Sequence, residues 1–350
     1  MDRTSYFLRR LLFVIPTFLG ITFLCFAVIQ FVPGGPVEQA ILRMRGDAAG
    51  GEGVSSSATK NGGISEEQRE AIRAHYGFDK PFLTRYWNWL WKDRIGLQME
   101  SYRFPNKTAW QLIESRFPVS ILFGVTGFLL TYLVCIPLGM AKALKNGKPF
   151  DFLTSVLVFT GYAIPVFALG MLLKMLFCGT VEGLWNIFPS AGFHSRDYAE
   201  MSLLMKAKDI FLHTFLPLLC YMSGSFAVLT MLMKNSLLEQ IGADYVRTVA
   251  AKGAGMTRII CCHVLRNALI PIATGFGSVL TLIFAGSVII EQVFEIPGMG
   301  MLSLESIVGR DYPVFMGILS LTSILALFGN ILSDFAYLLI DPRISFDRQG

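Results

Sequence analysis

The closest approach to a nucleotide site in this sequence is Gly147-Lys148-Pro149. A P-loop needs Gly-x-x-x-x-Gly-Lys followed by Ser or Thr, because its backbone N–H groups and lysine bind the phosphates and its hydroxyl binds Mg²⁺. Here the upstream glycine and the hydroxyl are both missing. The sequence also shows no serine or cysteine nucleophile with a suitable base and no HExxH pattern. We therefore expect that the chain is not an enzyme and does not bind ATP through a P-loop.

The spacing of histidine and cysteine gives no sign of a metal centre. His194 and His213 are 19 residues apart without a nearby pair of carboxylates, so satisfied or solvated side chains are favoured over ligands. Of the six cysteines, three lie in apolar segments, Cys261 and Cys262 are adjacent, and Cys178 is alone. This arrangement indicates neither a disulfide framework nor a CxxC site. We expect no metal ion and no cofactor.

Three ionisable residues lie in or beside apolar segments, where charge is often functional. Lys174 is about one turn from the end of its segment, so snorkelling to the interface is favoured over lining a transport path. Glu291 and Asp334 stand at segment ends. Both are expected to be solvated or paired, with Arg343 as a candidate partner for Asp334.

These residues belong to a chain that is too apolar for a soluble domain. It is 53% hydrophobic and 16% charged, with a mean hydropathy of +0.54, whereas about a quarter of residues in soluble domains are charged. Windows free of Asp, Glu, Lys and Arg are long enough to span a bilayer, which needs about 20 helical residues. The six windows are residues 11–32, 118–141, 152–173, 214–233, 267–290 and 312–333. They predict an all-α polytopic membrane protein with six transmembrane helices.

The first window is longer than the apolar core of a signal peptide, about 7 to 15 residues, and no small-residue cleavage site follows it. We therefore expect a retained helix. Cytoplasmic loops retain Lys and Arg. With the N-terminus inside, the four inner segments carry 13 Lys and Arg and the two short outer ones carry 5. Both termini are thus predicted to be cytoplasmic, and the net charge of +5 requires no nucleic acid partner.

The predicted organisation has four parts. Residues 1–32 are the N-terminal tail and first span, 33–117 a periplasmic helical insert, 118–338 the membrane core with an inner loop at 235–266, and 339–350 a cytoplasmic tail. Within the insert, the Gly-rich and Ser-rich residues 46–63 are typical of a flexible loop.

Helices are predicted to follow that loop in the insert. Ser65 and Gln68 form a capping box, and Gly77 suits a helix end. A second helix is predicted after Pro81, and Thr108 is predicted to cap a third, short one. In the second helix, packing is favoured over substrate contact for an aromatic face formed by Phe82, Tyr86, Trp89 and Leu90.

The inner loop between the fourth and fifth windows carries the most distinctive pattern. Asp244 is a candidate N-cap. One helix face would then hold Tyr245, Val246, Val249 and Ala250. Gly253 is well placed as the C′ residue, where a positive φ costs little.

A second loop helix is predicted to begin near Thr257. Its apolar residues Ile259, Ile260 and Val264 would rest on the membrane boundary, while Arg258, His263 and Arg266 would reach polar surroundings. Alanine and glycine let a neighbouring helix approach closely. We interpret the pair as a rigid docking element for a cytoplasmic partner; an ordinary basic loop is the alternative.

Prolines interrupt three of the windows, at Pro137, Pro165 and Pro217. The carbonyls that they free are tolerated only where protein or a water-filled cavity satisfies them. Simple packing and gating of a transport path are equally favoured, because proline is common in membrane helices.

The inner loop resembles the coupling loop of ATP-binding-cassette importer permeases. The matching segments are YVRTVAAKG at 245–253 and HVLRNALIP at 263–271. The first lacks the acidic-alanine-alanine opening that gives the loop its usual name, a departure common in the dipeptide and oligopeptide branch. The resemblance implies that ATPase coupling is carried by Tyr245, Arg247, Ala250, Ala251, Lys252, Gly253, Arg266, Asn267 and Pro271.

Other segments resemble the same branch over nearly the whole chain. They are FVPGGP at 31–36, YGFDKP at 76–81, GYAIPVF at 161–167, VFEIPGMG at 293–300, RDYPV at 310–314 and DPRI at 341–344. Where relatives often show a GDLG-like stretch, this chain has RIGLQ at 94–98.

The resemblance implies a type I importer permease fold in a bacterial inner membrane. The implied partners are a second homologous permease, two cytoplasmic ATP-binding subunits that seat the 245–271 loop, and a periplasmic peptide-binding protein. The implied substrates are peptides, either oligopeptides or microcin C-like peptides. Path or gating roles would fall to Pro137, Pro165, Pro217 and Lys174.

Three alternatives stay open. Similar permeases carry glutathione, nickel complexes or oligosaccharides, so the substrate is not fixed. An ion-driven secondary transporter would need charges near the midplane and often inverted repeats, neither of which is evident. A scaffold without transport activity would leave the inner loop without a moving partner.

Overall fold

A computed structural model of the protein describes residues 3–31, 70, 79–277 and 286–340. In this part of the chain the α-helices are α1 Arg3–Phe31, α2 Phe82–Trp87, α3 Ala109–Leu144, α4 Pro149–Ala163, α5 Val166–Phe177, α6 Leu203–Ile241, α7 Asp244–Ala251, α8 Met256–Ile259, α9 Leu265–Ala268, α10 Ile270–Ala273, α11 Val288–Val293, α12 Met299–Val308 and α13 Tyr312–Ile340. Single π-helical or 3₁₀ turns occur at Asn88–Lys92, Tyr198–Glu200, Ile260–Val264 and Thr274–Gly277. The described residues form no strands, only isolated bridges.

Four described helices are long and apolar enough to cross a membrane: α1 over Ser5–Ile29, α3, α6, and α13 over Tyr312–Ala336. The third predicted window is different, because α4 and α5 form a pair bent by 99°. Pro165 explains the bend, since it has no N–H to donate and holds Ile164 in an extended conformation, with φ −79° and ψ 122°. The interruption predicted at Pro165 is confirmed, whereas α3 and α6 continue through Pro137 and Pro217.

The fifth predicted window is not one continuous helix in its described part. A turn at Leu269 separates α9 from α10, and a 3₁₀ turn follows as far as Gly277. Pro271 accounts for the break, because it lacks the N–H that would donate to Asn267 in a regular helix. Residues 278–285 lie outside the described residues, so the count of six spans stays a prediction.

Several other predictions also fall outside the described residues. They concern the flexible loop at 46–63, the capping box and helix at 65–77, most of the tail at 339–350, and Arg343 as the partner of Asp334. Within the described residues, Asp334 forms an ion pair with Arg10 and accepts a 3.1 Å hydrogen bond from the Tyr6 hydroxyl. The prediction that Asp334 is paired is confirmed, with an N-terminal arginine as its partner.

The chain divides into two compact units. The large unit comprises Met1–Ile15, Arg116–Leu302 and Thr322–Gly350. In it, α3 and α6 cross at Gly139, where a Cβ atom would lie 2.6 Å from the Met233 Cβ. Only glycine allows the two backbones to approach this closely.

The small unit comprises Pro16–Ser115 and Ser303–Leu321. Tyr86 and Trp89 are buried against the second half of α1, which confirms that the aromatic face predicted after Pro81 packs in a core. Thr108 acts as the predicted cap, since its hydroxyl accepts from the Gln111 N–H at 3.3 Å while the Gln111 side chain accepts from the Thr108 N–H at 3.0 Å. The helix that it starts is not short, however, because α3 continues to Leu144.

Candidate functional site

The inner loop begins with an N-cap at a different residue from the one predicted. Ala243 takes the cap position, with φ −70° and ψ 147°, and Asp244 is the first helical residue of α7. The Asp244 carboxylate is fully exposed and lies 3.7 Å from Arg247. The assignment of Asp244 as N-cap is therefore wrong, because the chain has already entered helical geometry there.

The end of α7 has the predicted geometry. Gly253 has a φ of +82°. Its N–H donates to Ala250 O at 2.9 Å, and the next N–H, of Ala254, donates to Val249 O at 3.4 Å. These two bonds define a Schellman motif, which satisfies helix-end carbonyls and needs a left-handed residue at C′. Gly253 therefore fixes the direction in which the chain leaves α7.

The buried face of α7 holds three of the four residues predicted for it. Val246 is buried, and Tyr245 and Val249 pack against the same apolar cluster. Ala250 is exposed instead. The exposed side of the loop is formed by Arg247, Ala250, Ala251, Lys252 and Gly253.

The second loop helix begins at Met256 and continues through the π-helical turn into α9. Ile259, Ile260 and Val264 are 2%, 6% and 0% exposed. The prediction that they rest on the membrane boundary is wrong, because protein side chains bury them; Ile259 and Val264 join the cluster of Met233 and Leu237. The polar side chains Arg258, His263 and Arg266 are exposed as predicted.

The segment HVLRNALIP is joined to α6 by a hydrogen bond as well as by apolar packing. In a regular helix the Ile272 N–H would donate to Ala268 O, but here it donates to Leu269 O at 3.1 Å. The Ser236 hydroxyl, from α6, donates to Ala268 O at 2.8 Å instead. Tyr245 adds a 3.0 Å bond to Gln240 at the end of α6. Both loop helices are therefore attached to α6.

The same helix α6 lines a cavity of about 370 Å³ in the large unit. The walls come from α3, α6, α10 and the 3₁₀ turn after α10. They expose glycines, aromatic rings and hydroxyl groups, chiefly Phe123, Gly124, Gly127, Phe128, Thr131, Tyr132, Tyr221, Gly224, Ser225 and Gly275. Within the described residues no charged side chain lines the cavity, so it suits an uncharged part of a ligand.

Tyr221 in the cavity wall is held from two sides. Its ring stacks on Phe123, with centroids 5.5 Å apart and an interplanar angle of 17°. Its hydroxyl donates to the Glu291 carboxylate at 3.3 Å. Glu291 is 1% exposed and also accepts the backbone N–H groups of Ser287 and Met301, at 3.1 and 2.7 Å. The expectation that Glu291 is solvated is wrong, and the donors that hold it are a tyrosine hydroxyl and backbone N–H groups.

The four residues predicted to act in a path or gate do not line this cavity. Pro217 lies four residues before Tyr221, and Pro137 five residues after Tyr132. The Lys174 ammonium donates to Val293 O at 2.8 Å and lies 3.8 Å from the Glu295 carboxylate, so protein groups hold it. The missed signal was the set of glycines in the second and fourth windows, Gly124, Gly127 and Gly224.

Sequence reasoning also missed a buried group of charges near the inner loop. Lys234 of α6 donates to both carboxylate oxygens of Asp151, at 2.9 and 2.7 Å. Lys142 of α3 is fully buried and lies 3.2 Å from the same carboxylate. It also donates to the Ser155 hydroxyl at 2.6 Å. Asp151 therefore connects the ends of α3 and α4 to α6.

We expect Asp151→Asn to lower the thermal unfolding midpoint by roughly 10 °C, because removing one partner of a buried ion pair costs about 3–5 kcal/mol. The matched control is Asp244→Asn, since that carboxylate is 97% exposed and its pair with Arg247 lies on the surface. A thiol-reactive dye that detects the release of buried Cys135 and Cys220 measures both midpoints. Equal midpoints for the two variants would contradict a stabilising role for Asp151.

His213 is held within its own helix. The His213 Nδ1 lies 2.9 Å from Asp209 O and 3.4 Å from the Asp209 carboxylate, so it is a satisfied side chain. Within the described ranges, no group of three His, Cys, Asp or Glu residues is arranged to hold a metal ion.

The described chain has several apolar helices that are long enough to span a membrane, and one of them joins an exposed two-helix loop to a cavity. These features define a multi-pass membrane protein of the transporter class. Residues 135–346 match the family described as the binding-protein-dependent transport system inner membrane component. The chain belongs to this family.

Relatives agree along almost the full length. The chain is 39% identical to the inner membrane ABC transporter permease protein YejB of Escherichia coli O157:H7, over 98% of this chain and 99% of that one. It is 38% identical to the peptidoglycan transport system permease protein YejB of Agrobacterium fabrum, over 99% of each. It is 33% identical to the dipeptide transport system permease protein DppB of Escherichia coli K12, over 97% of this chain and 98% of that one. The protein is thus the inner-membrane permease component of a binding-protein-dependent ABC importer.

Proposed function

We propose that this chain is a peptide-translocating permease subunit, driven by ATP that separate partner subunits hydrolyse. It takes the type I importer fold with six transmembrane helices, an outer insert at 33–117 and both termini in the cytoplasm. The inner loop at 245–271 seats the ATPases. An excess of Lys and Arg on the inner segments supports this orientation.

The observation that carries the proposal is the attachment of the loop to α6. Ser236 and Gln240 bind the loop helices, and the stretch from Tyr221 to Leu232 of the same helix lines the cavity. Ser236 is twelve residues from Gly224, which corresponds to about 18 Å along a helix. A force applied by an ATPase at the exposed face of α7 would therefore reach the cavity wall through one continuous element, as a rigid-body switch requires.

The partners proposed are a second homologous permease, two cytoplasmic ATP-binding subunits and a periplasmic peptide-binding protein. The second permease would complete the path, to which the cavity of this chain contributes one wall. Peptide is the substrate class favoured, because two relatives are named for dipeptide and oligopeptide transport. A peptidoglycan-derived substrate is the second candidate, since the relative from Agrobacterium fabrum is named for peptidoglycan transport.

The test is uptake by the whole complex, with both permeases, the ATPases and the binding protein, in sealed vesicles. We expect accumulation of a labelled tripeptide to require ATP and to continue when a protonophore dissipates the ion gradient. Vesicles given ADP in place of ATP are the control.

Two results would contradict parts of this proposal. Uptake that stops with the protonophore while ATP is present would indicate an ion-driven transporter. Absence of tripeptide uptake, together with ATP-dependent uptake of a labelled peptidoglycan fragment by the same vesicles, would assign the substrate to the second candidate.

A further inference from the structure

The segment α2 and its π-helical turn expose an apolar stripe that the proposed function does not use. Leu83, Trp87 and Trp91 are 67%, 60% and 65% exposed. Their spacing of four residues places them on one side of the helix, and the two indole rings lie 5.8 Å apart. We call these three residues the tryptophan stripe. Adjoining large apolar side chains are rarely left in water, so this surface indicates a contact.

The opposite side of α2 shows at what depth the stripe lies. The Tyr86 hydroxyl donates to Leu19 O at 3.2 Å and lies 3.0 Å from the Thr22 hydroxyl. Both partners belong to the apolar span Ser5–Ile29 of α1. Thr22 precedes Ile29 by seven residues, about 10 Å along a helix. Tyr86 therefore reaches into the half of the span that lies away from the N-terminus.

Ring contacts place the rest of α2 beside the same stretch of α1. The Phe82 ring lies 5.6 Å from those of Phe23 and Phe26, and Trp89 lies 6.0 Å from Phe26. On its free side this stretch of α1 exposes Leu24 and Val28. In a membrane-spanning helix such side chains face lipid, so the tryptophan stripe adjoins a lipid-facing surface.

The side chains beyond the stripe have the chemistry of a membrane interface. Lys92 and Arg94 follow Trp91 and are exposed. Tryptophan is enriched at the boundary between headgroups and acyl chains, and nearby lysine and arginine favour the anionic phosphate level. The charge and the depth together favour phospholipid over a protein partner.

We propose that the tryptophan stripe inserts into the headgroup–acyl boundary of the phospholipid leaflet at the C-terminal end of α1. The segment α2 is then a membrane-surface anchor for the part of the chain that leads into α3. This anchoring is independent of substrate and of the ATPases.

A photo-crosslinking residue tests the occupant in the assembled complex. p-Benzoylphenylalanine is introduced in place of Trp87 and, in separate variants, of Leu83 and Lys107. Lys107 is exposed in the same unit but lies outside the stripe. After irradiation in native membranes, mass spectrometry separates lipid adducts from protein adducts. We expect lipid adducts at positions 83 and 87 to exceed those at 107 by about tenfold.

Two results would overturn the proposal. Adducts at 83 and 87 with the binding protein or the second permease would make the stripe a protein interface. Equal lipid labelling at 107 would remove the specificity of the stripe. Because all three side chains are exposed, replacing them leaves the core of the unit unchanged, and ATP-driven uptake measured in the same membranes tests the transport proposal separately.

Discussion

Replacing Gly253 with valine is expected to lower ATP-driven uptake about tenfold and to weaken docking of the ATPase to a similar degree. A left-handed backbone costs a residue other than glycine about 1–2 kcal/mol, and β-branched residues tolerate it least. A difference of about 1.4 kcal/mol is a factor of ten in an equilibrium constant. Gly253 has a φ of +82°, and the two bonds of the Schellman motif depend on it. Uptake, ATPase activity and copurification of the ATPase measure the effect.

The matched control is Gly255→Val, two residues further along the same exposed turn. Gly255 has φ −67° and ψ 150°, which valine adopts readily. A Cβ atom at either position meets no atom of the described residues within 4 Å, so steric conflict inside the chain does not distinguish the two variants. The two variants differ in the backbone conformation that the valine must adopt.

Gly253→Asn completes this series, because asparagine tolerates the left-handed region at helix ends. We expect it to retain most of the uptake. If the valine variants at 253 and 255 lost uptake equally, close approach of a partner would be the constraint, and the assignment of the effect to φ would be wrong. Normal uptake in Gly253→Val would contradict the coupling role of this loop.

Local sequence patterns predicted those features that depend on a few neighbouring residues. Apolar windows located α1, α3, α6 and α13, since crossing a bilayer imposes a length and an absence of charge. Gly253 was predicted from its place after a short amphipathic run, because a Schellman motif is determined within about six residues. Pro165 was predicted to interrupt its window for the same kind of local reason.

Features that depend on tertiary contacts were missed or misjudged. Asp151 and Lys234 are 83 positions apart, and no local pattern pairs them. Glu291 was expected at a segment end to be solvated or paired, but the Met301 N–H, ten positions along the chain, donates to its buried carboxylate. The apolar side chains of Ile259 and Val264 suit a membrane boundary and a protein core equally well. In the structure they pack against α6. The cavity is lined by residues from several helices that are far apart in the sequence. Its signal in the sequence was therefore limited to the glycines of those helices.

Filling the cavity by Gly224→Leu is expected to discriminate between substrates by size. Gly224 lines the cavity, and a Cβ atom there meets no described atom within 4 Å, so a leucine side chain at this position takes up cavity volume. We expect uptake of a hexapeptide to fall about tenfold, a change of about 1.4 kcal/mol in the barrier, while uptake of a dipeptide falls less. Proteoliposome uptake of both peptides by the complete complex provides the measurement.

Two controls separate a filled cavity from general damage. Gly161→Leu makes the same change in α4, at another position where a Cβ atom meets no described atom and which does not line the cavity. Gly127→Ala adds only a Cβ that lies 3.8 Å from Leu218 and Tyr221, an ordinary contact. Both are expected to transport the hexapeptide and the dipeptide in the ratio of the unaltered chain. Since the ATPase contacts are proposed to lie on the inner loop, copurification of the ATPase should be the same in all three variants. If Gly224→Leu left that ratio unchanged, or lost the ATPase together with uptake, the cavity would not be a wall of the path.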